Sequence, residues 1–204
     1  IMANARFSIA PAYYTGSEVT PEVTVTHSGK TLVKDRDFTV TYHNNIEPSS
    51  YYNSPWVGID GIGNYQGYVT KSFTINRADI SSCTVTLSDE SLTYTGSSLR
   101  PTATVKSGDK ELTLNQDYYV SYRNNWDAGT ASAILTGTGN YTGSVTRDFT
   151  IKPLDISRYS ASLSQYSYTS DGTEKCPDVT VTYGDKTLAA GTDFTVSYKD
   201  NVKE

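Results

Sequence analysis

The chain has two histidines, His27 and His43, to act as proton acceptor for a serine or cysteine nucleophile. Such a site needs the base within reach of the nucleophile and an acid to orient it. His43 stands where two later segments of the same pattern carry Arg123 and Lys199, so it reads as a solvent-facing basic position. His27 also reads as surface, and no catalytic residue is assigned. Metal chemistry is no better served, with neither a Cys-x-x-Cys nor a histidine pair. Asp35, Asp37 and Glu47 lack the spacing of a calcium loop. No metal and no cofactor is expected. Asp37, Asp117 and Asp193 recur ahead of equivalent segments, which suits carboxylates that cap turns. Cys83 and Cys176 occupy non-equivalent places and read as unpaired thiols. Residues 1–14 and 80–94 contain no lysine, so no Lys–Asn crosslink from a first strand is expected.

The residues best suited to binding are aromatic. The segment Ser49-Ser50-Tyr51-Tyr52-Asn53-Ser54-Pro55-Trp56 stands where a later copy has only Trp126-Asp127-Ala128-Gly129. Rings supply rigid contact area and small polar residues supply adaptable hydrogen bonds, the usual composition of binding loops. Planar rings also suit sugar faces. Tyr51, Tyr52, Trp56 and Trp126 are therefore the candidate ligand-binding residues. The alternative is that Trp56 opens the next strand and packs on the core, leaving Tyr51 and Tyr52 as plain loop rings.

The elements that carry these residues are written three times. Asp37-Phe38-Thr39-Val40-Thr41-Tyr42, Asp117-Tyr118-Tyr119-Val120-Ser121-Tyr122 and Asp193-Phe194-Thr195-Val196-Ser197-Tyr198 each alternate large apolar with polar residues. A period of two predicts a strand with one buried and one wet face. An Asn-Asn or Asp-Asn pair follows each copy and ends it. Tyr14-Thr15-Gly16 recurs as Tyr94-Thr95-Gly96, and Gly63-Asn64-Tyr65 as Gly139-Asn140-Tyr141. The first offset is 80 residues and the second 76, so the first copy carries four extra residues between Asn45 and Gly63. Turn signals every eight to twelve residues mark a sandwich or barrel. A complete copy, read on the second, is expected to form seven short strands, and the copies are expected to fold independently. The expected domains are residues 1–76, 77–152 and 153–204, the last holding only the first strands of its copy. The connectors Asn76-Arg77-Ala78-Asp79-Ile80-Ser81 and Lys152-Pro153-Leu154-Asp155-Ile156-Ser157 are short, and should be stiff and partly buried.

The net charge is -5 with no basic stripe, which argues against nucleic acid. No apolar stretch approaches a membrane span, and no membrane insertion is expected. The chain opens at Ile1 without a visible signal peptide, as a piece cut from a longer protein would.

With its Gly139-Asn140-Tyr141-Thr142-Gly143 loop, Phe149-Thr150-Ile151 end and Tyr-Thr-Gly turn, the sequence resembles tandem bacterial Ig-like repeats. These occur in large surface proteins of Gram-positive gut anaerobes. The resemblance covers nearly the whole chain and departs at Tyr168-Thr169-Ser170-Asp171-Gly172, where the third copy has two added residues. It implies an all-β fold of tandem Ig-like antiparallel β-sandwiches arranged as a monomeric rod. It also implies a non-enzymatic adhesin stalk or spacer, extracellular, cell-wall-attached or secreted. A second class of function is a module holding a host protein, an immunoglobulin or mucin, or a glycan. The bacterial origin so implied makes the glycosylation sequon at Asn140 a coincidence of the loop.

Overall fold

Alternation converts directly into strands. The structure, a computed structural model, describes residues 4–202. The first copy forms β1 (Arg6–Ile9), β2 (Ala12–Tyr13), β3 (Val23–His27), β4 (Lys30–Thr31), β5 (Phe38–His43), β6 (Trp56–Gly61), β7 (Tyr68–Ser72) and β8 (Ile75–Asn76). The second forms β9 (Ala78–Asp79), β10 (Thr84–Leu87), β11 (Ser91–Thr93), β12 (Ala103–Ser107), β13 (Lys110–Glu111), β14 (Tyr118–Arg123), β15 (Gly129–Gly137), β16 (Tyr141–Thr142) and β17 (Ser144–Lys152). The third adds β18 (Ser160–Leu163), β19 (Val179–Tyr183) and β20 (Lys186–Thr187). The described helical turns are two short 3-10 segments, Ile80–Ser82 and Ile156–Arg158. The chain is all-β, and its contacts divide it into two compact units, one running to Pro153 and one from Leu154.

In the first unit the sheets are sandwich-like. Antiparallel β1-β3-β4 lies across a shared core from β5-β6-β7, with Val23, Val25 and Leu32 meeting Phe38, Val57 and Ile59. The second copy repeats this with β10-β12-β13 and the four-stranded β11-β17-β15-β14. Sequence reading places a turn at Tyr94-Thr95-Gly96 but misses the strand before it. Ser91–Thr93 pairs parallel with Thr150, Ile151 and Lys152, and Ala12–Tyr13 does the same with Ile75–Asn76. These strands are two or three residues long, too short for alternation to register.

One set of hydrogen bonds recurs in all three copies. The Tyr42, Tyr122 and Tyr198 hydroxyls donate to the Pro21, Pro101 and Pro177 carbonyls, 21 residues upstream, at 2.7, 2.6 and 2.5 Å. Burial pushes the Tyr42 and Tyr122 phenols up, which keeps these donors protonated. The Asn45, Asn125 and Asn201 amides donate to the Val19, Leu99 and Lys175 carbonyls, each 26 residues back. The Asp37, Asp117 and Asp193 carboxylates accept the Val33, Thr113 and Ala189 N–H groups at 2.7–2.8 Å. The recurring aspartates therefore cap turns, as their place before the strands predicted. Arg36, bonded side by side with Asp37, and the Val33 N–H hold the Asp37 carboxyl below its usual range.

Packing does not stop at the joint between the first two copies. Ala12, Tyr14 and Ile75 belong to the same buried cluster as Ile80, Val85, Val105, Leu112 and Tyr141. The Tyr14 and Tyr141 rings meet edge-on at 5.7 Å. The connector itself is structural. Ala78–Asp79 pairs parallel with Tyr141–Thr142, the Asp79 carboxylate caps the Ile80–Ser82 turn by accepting the Ser81 N–H, and Ile80 is fully buried. Gly143, at φ 76°, leaves the room that Asp79 fills, because a Cβ there would stand 2.5 Å from its Oδ1. The first connector is partly buried, through Ala78 and Ile80, as expected, but copies that share a core do not pack as independent beads.

In the second unit, β18-β19-β20 forms one antiparallel sheet. Residues 194–199 carry the same alternation as β5 and β14, yet form no strand beyond a bridge between Ala190 and Phe194. A strand needs a partner for its N–H and C=O groups, and among the described residues this stretch has none to form a ladder with. The expectation of a third anchor strand is corrected accordingly. Cys83 is a buried free thiol and Cys176 an exposed one.

Removing the Tyr122 hydroxyl would leave the buried Pro101 carbonyl unpaired. Tyr122→Phe should lower the stability of the first unit by about 1–3 kcal/mol in urea unfolding. A change within error would show that the clamp carries no stability.

Candidate binding surface

The four extra residues of the first copy lie between β5 and β6. After β5, Asn44 turns the chain at φ 55° and Asn45 is buried. Ser49 then bonds Ile75 both ways: its N–H donates to the Ile75 carbonyl at 2.9 Å, and its Oγ accepts the Ile75 N–H at 3.0 Å. In the second copy Gly129 opposes the equivalent Ile151. The ladder resumes at buried Pro55, whose carbonyl accepts the Phe73 N–H. What is looped out is therefore the Ser50-Tyr51-Tyr52-Asn53 turn, a bulge set into the line of the sheet's middle strand.

Asn53 holds that bulge shut. Its side-chain amide donates to the Glu47 carbonyl at 2.8 Å, with longer contacts to the Pro48 and Asn44 carbonyls at 3.3 and 3.4 Å. Its backbone N–H reaches the Ser50 Oγ at 3.1 Å. The Glu47 carboxylate accepts from the Asn140 amide of the second copy at 2.7 Å, which fixes the base of the bulge to the joint. At the tip, Tyr51 and Tyr52 are 92% and 94% exposed, their rings edge-on at 5.0 Å. Two rings held almost wholly in water contribute nothing to the core.

Trp56 is placed elsewhere. It opens β6, as the plainer reading had it, but does not pack on the core. Val57 and Ile59 point inward, so Trp56 lies on the outer face and stacks on the His43 ring opposite it, centroids 3.9 Å apart. The same outer face carries exposed Tyr68, cross-strand from Asp60, which sequence reading did not single out. Its polar Gln-Gly-Tyr surroundings gave no alternating signal. Trp126 is exposed on the second copy, at the position equivalent to Ile46 of the first. The structure thus pairs Tyr51 with Tyr52 and Trp56 with His43, and sets Trp126 on the other copy. Asn53 was also missed as a determinant, although an asparagine within a Ser-rich turn is the signal for one.

His27 is half-buried with its ring edge-on to Tyr65, which corrects its reading as plain surface. A depression of about 390 Å³ is lined by Phe7, Ile9, Lys71 and Phe73, with the Lys71 ammonium 5.3 Å over the Phe7 ring. No family model, curated protein or solved structure matches the chain.

Asn53→Ala removes the bonds that close the bulge. It should lower stability by about 1–2 kcal/mol and raise the fast-timescale mobility of residues 50–53 in backbone 15N relaxation. Unchanged order parameters would mean that the bulge is held by other contacts.

Proposed function

We propose that this chain is a non-enzymatic, extracellular repeat region of a bacterial cell-surface protein, in which Ig-like copies act as a stiff stalk or spacer. The observation that carries this reading is the joint between the first two copies. Tyr14, Ile75, Ile80 and Tyr141 are buried together there, and the connector is hydrogen-bonded as a strand. A spacer must resist bending where its units meet, and a buried aromatic joint with a paired backbone does this in a way that a flexible tether cannot. The recurring carboxylates are occupied in capping turns, which fits a scaffold rather than a reaction site. Among the described residues no helix is long and apolar enough to cross a membrane.

Relaxation measurements test the stiffness directly. Both copies should report a single rotational correlation time, and Tyr141→Ala should cost about 3–5 kcal/mol and separate the two values. Distinct correlation times in the unaltered protein would defeat the spacer reading.

A second reading rests on its own observation, the pre-ordered and nearly fully exposed Tyr51–Tyr52 pair. In this reading the first copy also holds a ligand, a host protein such as an immunoglobulin or mucin, or a glycan. A Tyr51→Ala/Tyr52→Ala double variant should keep its melting temperature and lose at least ~10-fold in affinity on mucin, immunoglobulin or glycan arrays. Equal binding by both proteins, or none by either, would retire it.

A further inference from the structure

The outer face of β5-β6-β7 is a field of side chains set by register. One row across the strands is His43, Trp56 and Ser72, the next Thr41, Gly58 and Thr70, and the last Thr39, Asp60 and Tyr68. Hydroxyls dominate these positions, Asp60 is their only carboxylate, and neither lysine nor arginine stands among them. The two large rings are fixed in different ways. His43 stacks on one face of Trp56, centroids 3.9 Å apart and planes 13° from parallel, while the neighbour on the other side is Ser72, too small to cover the second face. Tyr68 lies down over Gly58: its hydroxyl and ring edge occupy the space that a Cβ there would need, yet the residue is 60% exposed. The ring is thus bedded on the sheet and still largely in water.

The second copy shows that the fold does not require this arrangement. Its matching positions hold Ser132 for Trp56, Ile134 for Gly58 and Ser144 for Tyr68. The Ser132 hydroxyl there donates to Asp148 at 2.7 Å, and Ile134 fills the place where a ring would have to lie. Of the two copies, the first alone combines a glycine at the centre of the face with a ring on either side of it. One pleat, roughly 7 Å along the strand, separates the Trp56 row from Gly58 and the Tyr68 hydroxyl above it. Rings held rigid and left in water offer contact area at small entropic cost.

We propose that this face is a binding site for a neutral glycan chain, stacked on the Tyr68 and Trp56 rings. A pyranose offers a face of C–H groups to a ring and a rim of hydroxyls around it. The rings match the face, and the Asp60 carboxylate and the Thr41 and Thr70 hydroxyls, which flank Gly58, match the rim. Asp60 also sets the sign. With no lysine or arginine beside it, it repels an acidic sugar or a nucleic-acid backbone and accepts strongly from uncharged hydroxyls. A flat face buries less of any one sugar than a cleft does, so affinity depends on contact with several sugars in a row. The site is separate from the Tyr51–Tyr52 tip, and it stands whether or not that tip binds a ligand.

The probes are hexasaccharides of β-1,4-linked glucose, xylose, mannose and N-acetylglucosamine, with hexagalacturonate as the acidic control, each titrated into the full 15N-labelled chain. At least one neutral probe is expected to bind saturably, with amide shifts centred on Thr41, Trp56, Gly58, Asp60 and Tyr68. Hexagalacturonate should bind at least ~10-fold more weakly than that probe. Tyr68→Ala should lower affinity at least ~10-fold and keep the melting temperature, since the ring is mostly in water. Asp60→Asn should narrow the gap between neutral and acidic probes, which a merely structural role would not do. Gly58→Ile alone would collide with Tyr68, so the matching variant is Gly58→Ile/Tyr68→Ser, the pair that the second copy carries at these places. It should melt as the unaltered protein does and bind no probe. Tyr51→Ala/Tyr52→Ala should bind the probes with unchanged affinity. The absence of saturable binding by every neutral probe would overturn the proposal, as would equal binding of hexagalacturonate or full affinity in Tyr68→Ala. Shifts confined to residues 50–53 would also overturn it, and would move glycan binding to the exposed tyrosine pair.

Discussion

The fold depends on a hydroxyl and a carbonyl. In the two complete copies the anchor tyrosine sits on a strand of one sheet, and the proline whose carbonyl it reaches lies two residues ahead of a strand of the facing sheet. A sandwich core gives non-directional attraction between sheets, and attraction alone does not fix how one sheet lies on the other. A donor and an acceptor between sheets do. Proline is suited to the acceptor's place because it has no N–H to leave unpaired where the strand begins. The asparagine amide and the aspartate cap then fix the two ends of the anchor segment. The second unit keeps all three bonds with only part of its sheets present, so the clamp forms without the completed sandwich.

How far the sequence was legible follows from the range of each interaction. β3, β5, β12 and β14 announce themselves because alternation and flanking turns are local. The parallel strands β2 and β11 do not, since their identity lies in partners some sixty residues away. Residues 194–199 show the converse: the pattern is correct, and without a partner among the described residues it makes no strand. The connector at 76–81 reads as a spacer by composition, but pairing with Tyr141 makes part of it a strand. At the candidate surface, composition pointed to Tyr51 and Tyr52. It could not assign Trp56 to His43, because that contact depends on register, and register depended on which four residues the insertion added.

The joint and the bulge share one piece of chemistry. Glu47 belongs to the segment leading into the bulge, and its carboxylate is bonded to Asn140, in the loop that covers the joint. The loop that receives the connector also positions the base of the aromatic tip. A short path of named bonds, from Asn140 through Glu47 to Asn53, thus connects the joint to the base of the bulge.

The parallel pairing of first and last strands bears on mechanics. In each complete copy an early strand lies alongside the final one and points the same way, β2 with β8 and β11 with β17. Tension pulling the two ends of a copy apart drags those strands past each other lengthwise. The Tyr14 to Asn76 and Tyr94 to Lys152 backbone bonds, with the Asn76 amide to Ala12, then bear load together instead of opening in turn like a zip. A few short bonds in that geometry make each copy a shear latch.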